Sequence, residues 1–188
     1  RPDTPILAMV TRLVSHKGLD LVKGGVDNIM TYSNAQFVVL GSGDWEYEQF
    51  FKEMQAKYPG RFVLCQGFVP ELARKIYGGS DIFLMPSKSE PCGLSQMVAL
   101  RYGSIPVVRE TGGLKDSITD SGDGKGNGFT FQTYDTQDML NSVHRAIYAY
   151  NESKDGWKVL VERAMACDNS WGRSANDYIR LYKQLINS

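Results

Sequence analysis

The sequence predicts an α/β fold: a Rossmann-like, doubly wound parallel sheet of about six strands, with helices on both faces and a helical C-terminal tail. Three observations carry this. Short, continuous apolar runs recur, as in Ile6-Leu7-Ala8-Met9-Val10 and Ile82-Phe83-Leu84-Met85. Such runs mark strands buried on both faces, since a half-solvated strand would alternate. Between them stand segments with apolar residues at helical spacing, such as Leu19, Val22, Val26, Ile29 and Met30. The two kinds of segment alternate regularly, and strand–helix–strand order implies parallel pairing through a crossover helix.

In chain order, the first strand covers residues 6–10 and a polar loop covers 11–17. The helix carrying Leu19 to Met30 leads to a second strand over 35–40, which ends in Gly41-Ser42-Gly43. Asp44 stands where it can cap the next helix, on which Tyr47, Phe50, Phe51, Met54 and Tyr58 share one face. A third strand over 61–65 runs into Gln66-Gly67-Phe68, and a short helix over 71–77 precedes the fourth strand at 81–85. A tight loop over 86–93 and a helix over 94–102 come next, then a fifth strand over 105–108 with the loop Glu110-Thr111-Gly112-Gly113. Residues 121–127 read as a mobile surface turn and 128–131 as a short sixth strand. The rest is helical. Met139, Leu140, Val143, Ile147 and Tyr150 mark one helix, and Trp157, Leu160, Val161, Ala164 and Met165 another. The cleanest stripe is the last: Trp171, Ala175, Tyr178, Ile179, Tyr182, Leu185 and Ile186.

A length of 188 residues fits one domain, 1–188, with 154–188 as its helical tail. The 21 Lys and Arg balance the 21 Asp and Glu, so the chain lacks the basic excess that tracts of phosphate require, which argues against nucleic acid as a partner. No apolar run approaches the roughly 20 residues of a membrane span, and no secretion signal opens the chain. Cys65, Cys92 and Cys167 are odd in number and far apart, with neither CxxC spacing nor a disulfide framework, as expected in a reducing, cytoplasmic setting (a plastid if the source is a plant). The chain begins at Arg1 and enters a core strand at once, the pattern expected of a domain taken from a longer protein.

In open α/β sheets, ligands bind beyond the carboxyl ends of the strands. That rule gathers the loops beginning at Thr11, Gly41, Gly67, Ser87 and Glu110 on one edge. Arg12 and Lys17 read either as a clamp for a diphosphate or as two solvated charges. Glu90 reads either as a ligand of sugar hydroxyls, or of positive charge at a reacting carbon, or as a cap on the following helix. Gly93, Leu94 and Ser95 offer backbone N–H groups to phosphate at a helix start, with a plain helix start as the alternative and Leu94, Met97, Val98 and Leu100 expected in the core either way. Cys92 lacks a histidine placed to activate it, which favours packing or a backbone contact over a nucleophile. Phe68 is either a platform for a nucleobase or a core residue. Gly41-Ser42-Gly43 lacks the third glycine of a dinucleotide fingerprint and reads as a turn, while residues 110–113 read as a second anion nest or a turn. His16 and His144, both expected to be solvated, build no metal site by spacing.

Three segments resemble a known family. Thr11-Arg12-Leu13-Val14-Ser15-His16-Lys17-Gly18-Leu19-Asp20, Met85-Pro86-Ser87-Lys88-Ser89-Glu90-Pro91-Cys92-Gly93-Leu94-Ser95-Gln96 and Ala99 to Leu114 (ALRYGSIPVVRETGGL) closely resemble bacterial glycogen synthase and plant starch synthase, in order and in spacing. The resemblance implies a GT-B glycosyltransferase, two Rossmann-like domains facing across a cleft, with this chain the C-terminal donor-binding half and the N-terminal domain absent. It implies transfer of glucose from ADP-glucose to the 4-hydroxyl at the non-reducing end of an α-1,4-glucan, with retention of configuration and without a cofactor or metal. Matched position by position, Arg12 and Lys17 take the leaving diphosphate and Glu90 faces the donor sugar. Cys92, Gly93, Leu94 and Ser95 hold the distal phosphate, and Phe68 stacks on adenine. Related GT-B families carry a second glutamate where this chain has Val98; the glycogen and starch synthases lack it too, so the departure favours them and leaves the ribose contact unassigned. The acceptor is expected to be held through the N-terminal domain. The alternatives are a related transferase using a UDP-sugar, or a nucleotide-binding module inactive in isolation.

Overall fold

A computed structural model describes residues 3–186, so the outermost ends of the expected domain lie outside the described residues. Six strands form one sheet: β1 (Ile6–Val10), β2 (Gln36–Gly41), β3 (Phe62–Gln66), β4 (Ile82–Met85), β5 (Ile105–Arg109) and β6 (Phe129–Phe131). All pair in parallel, in the order β3-β2-β1-β4-β5-β6. The first three strands wind one way and the last three the other, so the order reverses between β1 and β4. The crevice of such a sheet opens at that reversal.

The helices are α1 (Leu19–Tyr32), α2 (Trp45–Lys57), α3 (Pro70–Gly79), α4 (Ser95–Tyr102), α5 (Gly112–Ser117), α6 (Thr136–Glu152), α7 (Lys154–Met165) and α8 (Trp171–Ile186). Successive residues of a strand face opposite sides, and β1 shows the result. Leu7 and Met9 enter a large core shared with Val22, Ile29, Phe51, Met139 and Val143. Ala8 enters a smaller one with Phe83, Tyr77 and Ala99, beneath α3 and α4. Burial on both faces is why these strands read as unbroken apolar runs.

The structure departs from the sequence reading in several places. Of the loop 110–113, expected as a turn or nest, Gly112 and Gly113 instead open the helix α5, which buries Leu114 against the core. Asp44 occupies the N-cap position of α2, but its side chain makes no capping bond. Residues 121–123 are a 3-10 turn pinned by Asp120, whose carboxylate accepts from the Gly122 and Thr130 N–H groups. His144 is half-buried and bonded to Asn28 of α1 at 2.7 Å. The stripe on α8 forms a helix as expected, but none of its residues is buried; Trp171 is 89% exposed and Ile186 81%.

Candidate functional site

The first polar loop begins where β1 ends. Its backbone first continues alongside β2: the Thr11 N–H donates to the Leu40 carbonyl and the Leu13 N–H to that of Ser42. It then makes a 3-10 turn over Ser15–Lys17 and ends at Gly18, with φ of 73°. A side chain at Gly18 would place its Cβ 2.0 Å from the Pro86 carbonyl oxygen, so only glycine lets this loop lie against the loop after β4. The Lys88 N–H completes the join by donating to the His16 carbonyl at 2.9 Å.

This contact brings together two residues 73 positions apart. The Lys17 ammonium donates to Glu90 Oε2 at 2.5 Å, with both side chains largely buried, at 18% and 12% exposed. The buried Ser87 hydroxyl donates to the same oxygen at 3.3 Å. Glu90 therefore does not cap α4; the N-cap of that helix is Leu94, and no side chain caps it. A paired carboxylate and ammonium, shielded from bulk water, interact far more strongly than an exposed pair.

Above the pair stands the start of α4. Gly93 has φ of 73°, and among the described residues the N–H groups of Gly93, Leu94 and Ser95 have no internal acceptor. Free N–H groups at a helix start favour an anion, helped by the helix dipole. Leu94, expected in the core, is 70% exposed, and Met97 and Val98 are half-buried; only Leu100 is fully inside. Cys92 is exposed, and its thiol lies 3.5 Å from the Gly93 carbonyl it donates to.

Gly93, Leu94 and Ser95 line a cavity of about 290 Å³ with Lys17, Ser87 and Glu90 on its wall, while Cys92 lies outside it, on a separate surface cavity with Gln96 and Met97. A second cavity, of about 440 Å³, adjoins it and holds Arg12, Gly41, Ser42, Phe68, Arg74 and Tyr77. Val10, Thr11 and Ser95 line both. Phe68 is 89% exposed, which rules out a core role. The structure thus gathers Lys17, Glu90, Gly93, Leu94 and Ser95 around one cavity and puts Arg12 and Phe68 on the other. Arg12 and Lys17 flank the junction rather than facing one another as a pair.

Two features escaped the sequence reading. Tyr134, following β6, donates to Asp20 Oδ1 at 2.5 Å, with its ring 5.6 Å from Lys88 Nζ and 5.4 Å from the Arg109 guanidinium. Burial first, and the Asp20 carboxylate second, push its hydroxyl well above the usual tyrosine range. It braces the outer side of the loop that carries Glu90. The other is Gln96, which is completely buried behind the same loop. Its signal was in the spacing: Gln96, Ala99 and Leu100 lie on one helix face, so a glutamine there sits on the inward stripe. Among the described residues, no group of three or more His, Cys, Asp or Glu side chains is arranged to hold a metal ion, and no helix is long and apolar enough to cross a membrane.

The family model described as glycosyl transferases group 1 matches residues 1–155. The glycogen synthase of Geobacillus thermodenitrificans is 52% identical over 186 residues, covering 98% of this chain and 38% of that protein. The glycogen synthase of Pseudothermotoga lettingae is 49% identical over 188 residues, covering 99% of this chain and 38% of that protein. The catalytic domain of starch synthase IV from Arabidopsis thaliana, solved bound to ADP and acarbose, matches with a TM-score of 0.88 at 38% identity, covering 99% of this chain and 39% of that one. The chain therefore spans under two fifths of the length of each of these three relatives.

Proposed function

Because the chain belongs to the glycosyl transferases group 1 family, we propose that residues 1–188 act as the single donor-binding domain of a retaining glucosyltransferase that moves glucose from ADP-glucose to the non-reducing end of an α-1,4-glucan. One observation carries the reading: the shielded Lys17–Glu90 pair lies beneath the open N-terminus of α4, beside a cavity walled by an exposed phenylalanine. An ammonium and free N–H groups suit a diphosphate, a carboxylate suits sugar hydroxyls, and an aromatic face suits a nucleobase.

In this reading the diphosphate lies across the junction at Thr11 and Ser95, with Lys17 on one side and Arg12 on the other. Cys92, Gly93, Leu94 and Ser95 present backbone to the distal phosphate, and adenine stacks on Phe68. As the bond from sugar to diphosphate breaks, negative charge grows on the leaving oxygen. Lys17, held by Glu90, and the N–H groups at the start of α4 are placed to receive it, with Arg12 adding its charge from the adjoining cavity. Glu90 faces the sugar, where a carboxylate stabilises positive charge at the anomeric carbon. The protein's own cations balance the diphosphate, so transfer is expected to proceed without a metal and to survive a chelator. The glucan is held by the part of the relatives that this chain does not span. Cys65, Cys92 and Cys167 are all free thiols, in keeping with a cytoplasmic setting. Calorimetric titration with ADP and with UDP tests the donor. Tighter binding of ADP supports the reading, and a clear preference for UDP overturns it.

A further inference from the structure

We infer that Gln96 is the positioning residue that turns the phosphate loop's N–H groups outward. The proposal rests on the reading of this loop as the site of the distal phosphate. The Gln96 side chain is 0% exposed. The two N–H bonds of its Nε2 are shared among three acceptors, the Cys92 carbonyl at 3.1 Å, the Gly93 carbonyl at 3.0 Å and the Ser117 hydroxyl of α5 at 3.1 Å. Ser117 in turn donates to the Gly113 carbonyl, in the first turn of α5, at 2.6 Å.

The consequence follows from the planarity of the peptide bond. Within one trans peptide the C=O and the next N–H point in opposite directions. Drawing the Cys92 carbonyl inward turns the Gly93 N–H outward, and drawing in the Gly93 carbonyl does the same for the Leu94 N–H. Both residues line the cavity with Lys17 and Glu90, and neither N–H has an internal acceptor among the described residues. One buried amide thus sets the direction of two donors. The same amide carries a penalty, because its Oε1 is buried with no partner among the described residues. A residue kept for packing alone would not leave an acceptor unmade there, since an apolar side chain of equal size avoids that penalty. The linkage through Ser117 anchors the arrangement to α5, so the loop is held by two helices.

The test is titration of the full chain with ADP and with AMP, which lacks the distal phosphate. Gln96→Met keeps the length and bulk of the side chain and removes the amide. The expected result is a loss of about tenfold in ADP affinity, with AMP affinity changed less than about twofold. Ser117→Ala, which removes only the anchor on α5, is expected to show a smaller loss of the same ADP-selective kind. It decides the matter if Gln96→Met does not fold. Equal losses for both nucleotides, or no change for either, overturn the positioning role and assign Gln96 to packing. If the unaltered chain binds no ADP, the donor reading itself has failed, an outcome distinct from the other two.

Discussion

At the residue scale, Lys17 and Glu90 decide what the site can do. Each is the other's counter-ion, so a diphosphate must compete with Glu90 for the ammonium. Lys17→Ala removes a charged hydrogen bond and is expected to weaken ADP binding by roughly 1.5–3 kcal/mol, measured by calorimetry. Glu90→Gln acts in the opposite direction on binding. It frees Lys17 and removes a negative charge beside the diphosphate, so ADP affinity is expected to hold or rise, while sugar transfer by the full-length protein falls; a joint loss of both would show Glu90 to be structural. Gly93→Ala combines a positive φ with a Cβ placed 2.5 Å from Gln96 Oε1. It is expected to cost about 1–2 kcal/mol in stability, read from denaturant midpoints. The sequence exposed Lys17, Glu90 and Gly93 as candidates because they stand in loops after apolar strands. It left Glu90 open between cap and ligand, since a carboxylate just before a helix suits either. The approach of Gly18 to Pro86 pairs Glu90 with Lys17 instead, which removes the cap. Phe68 was likewise open, between platform and core, since a phenylalanine after a buried strand suits either; β3 is an edge strand and the chain leaves the sheet there, which exposes the ring.

At the element scale, the helices that were legible are those with a long apolar stripe. α5 was not, because two glycines at its start have poor helix propensity and mimic a turn. It forms because Leu114 and Ile118 have core to cover between β5 and β6. The packing of α6 on α1 holds a titratable link, His144 to Asn28. Burial holds the His144 pKa below its usual value, so the folded state favours the neutral ring more than the unfolded chain does. The stability it contributes is fully present above an unfolded pKa of about 6.5 and is lost as pH falls below it. His144→Gln is therefore expected to show a melting temperature that falls ~1–2 °C less than the parent's between pH 7.5 and 5.5, by calorimetry at each pH. An identical slope in the two proteins would remove the link as a source of acid sensitivity.

At the scale of the whole molecule, parallel pairing and the edge that bears the loops followed from strand–helix alternation. The reversal of strand order between β1 and β4 did not, because pairing order is a long-range property that no local pattern encodes. The two loops flanking that reversal carry Lys17 and Glu90, so the topology, not proximity in sequence, assembles the site. The C-terminal stripe is the opposite case. Its period announced a helix correctly, but a stripe does not say what covers it, and here no residue of α8 is buried. Ending the chain at Asn169 is accordingly expected to leave the unfolding midpoint within ~3 °C of the parent's; a larger fall in calorimetry would reveal packing by α8.

The two cavities touch only along Val10, Thr11 and Ser95. For protein engineering this amounts to a natural seam. Changes that do not share partners combine additively, so, on the proposed reading of the site, a library varied at Phe68, Val69 and Arg74 for a new nucleobase is expected to be screenable independently of one varied at Ser87, beside Glu90, for a new sugar. Winners from the two screens can then be recombined without a second round of repair.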